Sequence, residues 1–308
     1  MINIYLITGF LGSGKTTFLV EQLKDCSKKT GVLMNEFGKI SMDSVTVTQQ
    51  DINLKELTNG SIFCACLKDK FIDGLIELVK LDLEDIYIES SGLSDPSNME
   101  AVLEILNKEV SPDSFSYKGS ICIVDGVYFF EELDKLVSVE RQIKHSHLVL
   151  INKLDLIDGD KLGKIKSTIK EINHKALTCV TSFGKCEDIE HMDYFDIEAE
   201  ETTNKEDNRP KQLLMSFESS PSLKQVSDFM KEVSSAFYRI KGFVEVDQQL
   251  RKIDCVNDRF DIIDYEWKSD NRLGYNELVF LSSQGLSSVS VLATGAKRHF
   301  PGLYKLSI

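Results

Sequence analysis

Eight residues near the start of the chain, Gly9-Phe10-Leu11-Gly12-Ser13-Gly14-Lys15-Thr16, fit the pattern G-x-x-x-x-G-K-[ST]. They follow an apolar run, Ile2–Thr8, that reads as a strand, and they lead into a helical pattern over Thr16–Cys26. A strand, a glycine-rich loop and a helix in that order is the context that gives the motif its meaning. The glycines let backbone N–H groups wrap phosphate oxygens, and the helix N-terminus adds a favourable dipole. Gly12, Ser13, Gly14, Lys15, Thr16 and Thr17 are therefore the candidate phosphate-binding residues. Lys15 is expected to reach the β and γ phosphates, and the Thr16 hydroxyl to ligate Mg2+.

The rest of the first 185 residues fits a fold that can carry such a loop. Further apolar runs at Gly31–Asn35, Ile86–Glu89, Gly119–Val124, His147–Ile151 and Ala176–Val180 read as strands. Helical patterns lie between them at Lys68–Lys80, Ser97–Leu106, Val127–Leu136 and Asp160–Ile172. Strands alternating with helices of this length predict right-handed crossovers and an α/β domain with a mostly parallel sheet covered by helices.

Charge marks where this pattern stops. The chain of 308 residues has a formal net charge of −13. Residues 187–207 hold ten acids and one base, a net −9, which leaves −4 for the other 287 residues. The run reads as a solvated linker with a short helix near its start. Beyond it a different texture sets in: strand-like Gln212–Phe217, helical Leu223–Val233, alternating runs at Tyr238–Val246 and Asp261–Trp267, strand-like Glu277–Leu281 and helical Gly285–Ala293. The expected organisation is a nucleotide domain over 1–186, an acidic linker over 187–210 and a small α+β domain over 211–308. The acidic balance argues against nucleic-acid binding, and no apolar stretch is long enough to span a membrane. With no basic-then-apolar leader and an odd count of seven cysteines, the expectation is a cytoplasmic protein without a disulfide framework.

Two more motifs specify the nucleotide. Asn152-Lys153-Leu154-Asp155 follows the strand His147–Ile151. A carboxylate at Asp155 can accept from guanine N1–H and from its exocyclic amine, a pair of donors that adenine lacks. Asn152, Lys153 and Asp155 are thus the candidate base-binding residues, and GTP is favoured over ATP. Ile86–Glu89 ends in an acid and is followed by Ser90-Ser91-Gly92. In a phosphate-loop fold, Glu89 is placed to orient Mg2+ through water and Gly92 to offer its N–H to the γ-phosphate. Lys15, Glu89 and Gly92 are the candidate catalytic residues. Asp125 is read as lining the nucleotide pocket or capping the next helix, and Phe10 and Leu11 as packing residues or partner contacts.

In this order the motifs resemble those of the CobW-like GTPases, relatives of the nickel-insertion GTPases for urease and hydrogenase. The resemblance covers nearly the whole chain. It rests on Thr8–Thr17, Asn35–Gly38, Cys64–Cys66, Glu89–Pro96, Asn152–Asp155 and Arg239–Phe243. It implies a SIMIBI-class GTPase domain followed by a CobW-type C-terminal α+β domain. The implied activity is slow GTP hydrolysis coupled to delivery of a metal ion or to maturation of a metalloprotein or corrinoid protein. Homodimers are common in this nucleotide-binding class, so a second copy of the chain is a partner the resemblance admits. The family pattern C-x-C-C binds Zn2+ or a similar ion, but here the sequence reads Cys64-Ala65-Cys66-Leu67 and the third thiolate is missing. Two thiolates cannot complete a four-coordinate shell. Glu36 is the family-matched acid expected to join Cys64 and Cys66 as a ligand to Zn2+ or Co2+, with His145 or His147 a further source. The alternative is a GTPase that remodels or loads a client protein, for instance a corrinoid enzyme, without carrying metal itself.

Overall fold

The computed structural model describes residues 1–24, 27–36, 52–58, 68–186, 188–198, 200, 212–266, 275–282 and 286–307. These fall into two compact units, divided between residues 200 and 212.

The first unit holds strands β1 (Ile2–Thr8), β2 (Thr30–Glu36), β3 (Ile52–Thr58), β4 (Asp85–Glu89), β5 (Phe115–Asp125), β6 (Leu148–Asn152) and β7 (Leu177–Val180). Its helices are α1 (Lys15–Lys24), α2 (Lys68–Val79), α3 (Met99–Glu109), α4 (Phe129–Lys135), α5 (Val137–Lys144) and α6 (Gly159–Ile172). The strands form one sheet in the order β3-β2-β4-β1-β5-β6-β7. All six pairings are parallel. The fold class is therefore the α/β class expected.

Alternation along the strands sends side chains to the two faces of this sheet. Ile2, Ile4 and Leu6 of β1 join Leu33, Ile86 and Ile88 under Phe71, Leu75 and Leu78 of α2 and Val102 and Leu106 of α3. Ile7, Val32, Met34, Tyr87, Ile121, Ile123, Leu148 and Leu150 take the other face, under Phe18, Leu19 and Leu23 of α1. Both faces are thus covered by apolar helix stripes, which leaves the strand ends as the place where polar groups converge.

Three details depart from expectation. β3 lies in a stretch for which the sequence pattern predicts no strand. The expected helix over Val127–Leu136 starts at Phe129, and extended backbone at Leu136 separates it from a second helix, α5. The acidic run is not simply solvated either. The short helix expected near its start is present at Asp188–His191, but Ile189 of that helix enters the core beside α1, and Glu200 pairs with Arg141 and Lys144 of α5.

The second unit is a six-stranded antiparallel sheet with two helices. Its strands are β8 (Gln212–Phe217), β9 (Phe237–Val246), β10 (Gln249–Val256), β11 (Arg259–Asp264), β12 (Glu277–Ser282) and β13 (Tyr304–Ser307). Their order is β11-β10-β9-β12-β8-β13, and helices α7 (Leu223–Val233) and α8 (Leu286–His299) accompany them. Val226, Phe229, Met230 and Val233 of α7 and Leu292 and Ala296 of α8 pack with Leu213, Met215, Ile240, Val244, Leu278 and Phe280 into a core of their own. Helix α7 begins with a full capping box between Ser222 and Gln225. Among the described residues, no helix of either unit is long and apolar enough to cross a membrane.

Candidate functional site: a phosphate loop at the sheet's carboxyl edge

The loop after β1 leaves the middle of the sheet, with β4 on one side and β5 on the other. Carboxyl ends of central strands are where open α/β sheets bind ligands. Phe10 and Leu11 are buried in the loop's base, in line with a packing role. The Lys15 side chain is buried, and its Nζ donates to the carbonyls of Gly9 (2.9 Å) and Phe10 (3.0 Å). The ammonium is thereby folded over the loop instead of extending into solvent.

Thr16, in the first turn of α1, donates from Oγ1 to Glu89 Oε1 at 2.8 Å. The acid at the end of β4 and the hydroxyl at the start of α1 are thus neighbours although 73 residues apart. Both offer hard oxygen donors, the kind Mg2+ takes while keeping several waters. This donor set fits the ion. Gly92 lies against the loop as well. A β-carbon added there would stand 2.6 Å from the Leu11 backbone nitrogen. Only a glycine allows the segment after β4 to come so close to the phosphate loop.

That segment is fixed from behind by a residue that sequence reasoning passes over. Gln142 of α5 is fully buried, and its Nε2 donates to the carbonyls of Gly92 (3.2 Å) and Ser94 (2.9 Å). Asp95, also buried, accepts from the Ser97 backbone N–H at 3.0 Å and caps the short turn that starts at Pro96. A glutamine inside a helix carries no local signal for such a role, because its partners lie about fifty residues away.

The base motif meets the same loop. Asn152 ends β6, and its Nδ2 donates to Ser13 O at 2.9 Å. Gly14 is the close contact here: its φ is +106°, and an added β-carbon would lie 2.2 Å from Asn152 Nδ2. Lys153 has left-handed backbone (φ +62°), and its Nζ pairs with Asp125 Oδ2 at 2.6 Å. Asp125 stands in register with Asn152 across β5 and β6, and its Oδ1 accepts from Val127 N–H at 2.8 Å. Asp125 thus orders a turn and holds Lys153. The Asp155 side chain is exposed, while its backbone N–H donates to Ser182 Oγ at 3.2 Å. The loop that supplies Ser182, after β7, is a part of the site that the motifs do not announce. Its one sequence cue is the turn-like Phe183-Gly184 pair just after a short strand.

The transition-metal candidates fall differently. Cys64 and Cys66 lie outside the described residues. Of Glu36 the structure gives its place at the end of β2, opposite Thr58 of β3. Among the described residues, no group of three or more His, Cys, Asp or Glu could hold a metal ion. His147 is committed elsewhere. Its Nδ1 accepts from Ser120 N–H at 3.0 Å, which leaves the proton on Nε2, 2.9 Å from Phe195 O. His145 is buried, with Nε2 3.9 Å from Glu200 Oε2. Burial lowers the pKa of both histidines below the ordinary 6.5. Burial pushes the thiols of Cys122 and Cys255 up to about 12, far from thiolate chemistry.

Residues 3–179 match the nucleotide-binding domain of CobW/HypB/UreG, more than half of the chain. The chain belongs to the CobW/HypB/UreG family. Within this family it is 30% identical over 189 residues to the zinc chaperone YjiA of Escherichia coli (strain K12), covering 59% of this chain and 58% of that protein. It is 28% identical over 221 residues to the zinc-regulated GTPase metalloprotein activator 1 of Schizosaccharomyces pombe (strain 972 / ATCC 24843), covering 66% of this chain and 51% of that protein. The matched stretches thus span between half and three fifths of these two relatives. Solved structures with a similar chain trace include Zn(II)-bound YjiA GTPase from E. coli, at TM-score 0.47 and 23% identity over 99% of both chains. HypB from Helicobacter pylori in complex with nickel aligns at TM-score 0.45 and 16% identity, over 62% of this chain and 83% of that one.

Proposed function

We propose that this CobW/HypB/UreG-family chain binds GTP with Mg2+, hydrolyses it slowly, and uses the nucleotide state to govern delivery of a transition metal such as zinc to a client metalloprotein. The observation that carries the reading is convergence on one loop. Thr16 meets Glu89 on one side of it, and Asn152 meets Ser13 on the other. In this reading Gly12–Thr17 hold the phosphates, Lys15 faces the β and γ groups, and Asp155 selects guanine. Thr16 and Glu89 would hold Mg2+, which when bound neutralises charge on the phosphate oxygens. Gly92 offers its N–H towards the γ-phosphate, from a segment that Gln142 and Asp95 keep in place. The division into a nucleotide domain (1–186), an acidic connector (187–210) and a C-terminal α+β domain (211–308) belongs to the same proposal, as does homodimerisation.

Zinc as cargo is supported by the relatives, a zinc chaperone and a zinc-regulated GTPase among them, and by the pair Cys64 and Cys66, with Glu36 as a further ligand. The Cys-Ala-Cys-Leu sequence favours a second reading, in which the GTPase loads or remodels a client, for instance a corrinoid protein, without holding metal. Removing both thiols separates the two: the first reading loses metal binding, and the second loses nothing.

The nucleotide reading is tested by measuring phosphate release from GTP and from ATP with Mg2+ present. GTP should turn over slowly, on the order of 10⁻⁴–10⁻² s⁻¹ as for unassisted switch GTPases. ATP should turn over much more slowly, and Lys15→Ala should abolish both. Equal turnover of ATP, or activity that survives in Lys15→Ala, would overturn the reading.

A further inference from the structure

Phe183 is 69% exposed and has left-handed backbone, φ +60°. A bulky residue is disfavoured in that conformation, and an apolar ring gains nothing from facing water. Two unfavourable choices at one position call for something that offsets both.

The loop that carries the ring is tightly held. Thr181 N–H donates to Ile151 O at 2.8 Å, and Leu154 N–H donates to Thr181 O at 3.1 Å. Thr181 Oγ1 donates to Lys185 O, which closes the loop on itself at 2.5 Å. Ser182 Oγ accepts from the Asp155 backbone N–H. Gly184 lies against α1, where an added β-carbon would stand 2.6 Å from Phe18 Cα. The ring therefore projects from a fixed loop next to the residue read as the guanine selector, whose own side chain is exposed.

We propose that Phe183 supplies the aromatic face on which the nucleotide base rests, so that Asp155 meets the base edge in a defined orientation. The inference rests on the guanine-nucleotide reading above and adds a division of labour to it. Every purine has a π-face, so a stacking ring adds affinity without choosing among bases. The choice is left to the carboxylate, which accepts from N1–H and the amine.

The test is equilibrium binding of GDP, inosine diphosphate and ADP to the full chain. Phe183→Ala should weaken GDP and inosine diphosphate by the same factor, about tenfold, at the lower end of what losing a base–aromatic stack costs. Asp155→Asn should instead collapse the preference for GDP. Phe183→Gly relieves the backbone while removing the ring, so it should melt no lower than the wild type yet bind GDP as weakly as the alanine variant. Phe183→Trp should keep wild-type affinity. Its added emission, measured above that of the single native tryptophan, should be quenched by GDP and not by magnesium pyrophosphate.

Unchanged GDP affinity in Phe183→Ala and Phe183→Gly, with the Asp155 effect intact, would overturn the role of Phe183 and leave the guanine reading standing. A wild-type chain that binds ADP as tightly as GDP would overturn the guanine reading, and this inference with it.

Discussion

At Gly14 the backbone has φ +106°, and an added methyl group would stand 2.2 Å from Asn152 Nδ2. Gly14→Ala should therefore push Asn152 away from Ser13 and strain the loop by about 1–2 kcal/mol. Since 1.4 kcal/mol is tenfold in affinity, GDP binding should weaken about tenfold or more. Titration calorimetry checks this, and wild-type affinity in a folded Gly14→Ala protein would count against a close Gly14–Asn152 contact. The identities of these residues are legible in the sequence because each motif is short and local. What each side chain holds is legible only in part. Asp125 suits either lining a pocket or capping a helix by its sequence position, and in the fold it pairs with Lys153 and orders a turn. Gln142 and Ser182 escape sequence reasoning because their partners are distant and their residue types are ordinary on a surface-like pattern.

Elements show the same division between strong local periodicity and long-range pairing. Every strand of the first sheet except β3 is readable: the central strands β4 and β6 are fully buried, mostly apolar runs, and the partly exposed edge strand β7 still reads Leu-Thr-Cys-Val. β3, Ile52–Thr58, is an edge strand whose Ile-Asn-Leu-Lys-Glu-Leu-Thr sequence breaks alternation at Glu56. β10 escapes notice for another reason. It follows a two-residue turn at Asp247-Gln248, with φ of +51° and +65°, and the next turn includes Asn257 at +54°. Turns with positive φ are expected at Asn-Gly or Asp-Gly, and Asp-Gln gives no such cue.

The segment 194–195 behind β5 and β6 carries an element-scale prediction. His147 stacks with Tyr194 (centroids 5.0 Å apart) and bonds to Phe195 O, and Lys175 lies over the Phe195 ring. Its Nδ1 accepts a hydrogen bond from Ser120 N–H, so the packed form is the neutral ring. The folded pKa lies below the unfolded 6.5, chiefly through burial, against a smaller opposing effect from Phe195 O. The unfolded chain therefore binds the proton first. This contribution to stability is fully present above pH 6.5 and is lost as pH falls below it. His145 shifts in the same direction. Melting temperatures between pH 8 and pH 5 should fall below pH 6.5, and His147→Gln should be destabilised at pH 8 yet show a shallower fall. An equally steep fall in the variant would assign the acid sensitivity elsewhere.

For the whole molecule, the net charge of −13 is concentrated in a run that the sequence presents as solvent-facing. Part of that run packs: Ile189 is buried, and Glu200 pairs with Arg141 and Lys144 on α5. Helix α5 also holds the segment after β4 through Gln142. The anchor on the acidic run and the support behind Gly92 thus share one short helix. Composition could not reveal this, because a charged residue paired across 56–59 positions looks the same in sequence as a solvated one.

If the state of the nucleotide governs how the chain holds a transition metal, the two must be coupled in a single binding experiment. Co2+ is titrated into reduced protein, once with GDP and once with a non-hydrolysable GTP analogue, following thiolate-to-Co2+ charge-transfer absorption. The expected result is absorption that Cys66→Ala abolishes, with a Co2+ affinity that differs at least several-fold between the two nucleotides. No absorption in either state, or the same affinity in both, would refute the coupling.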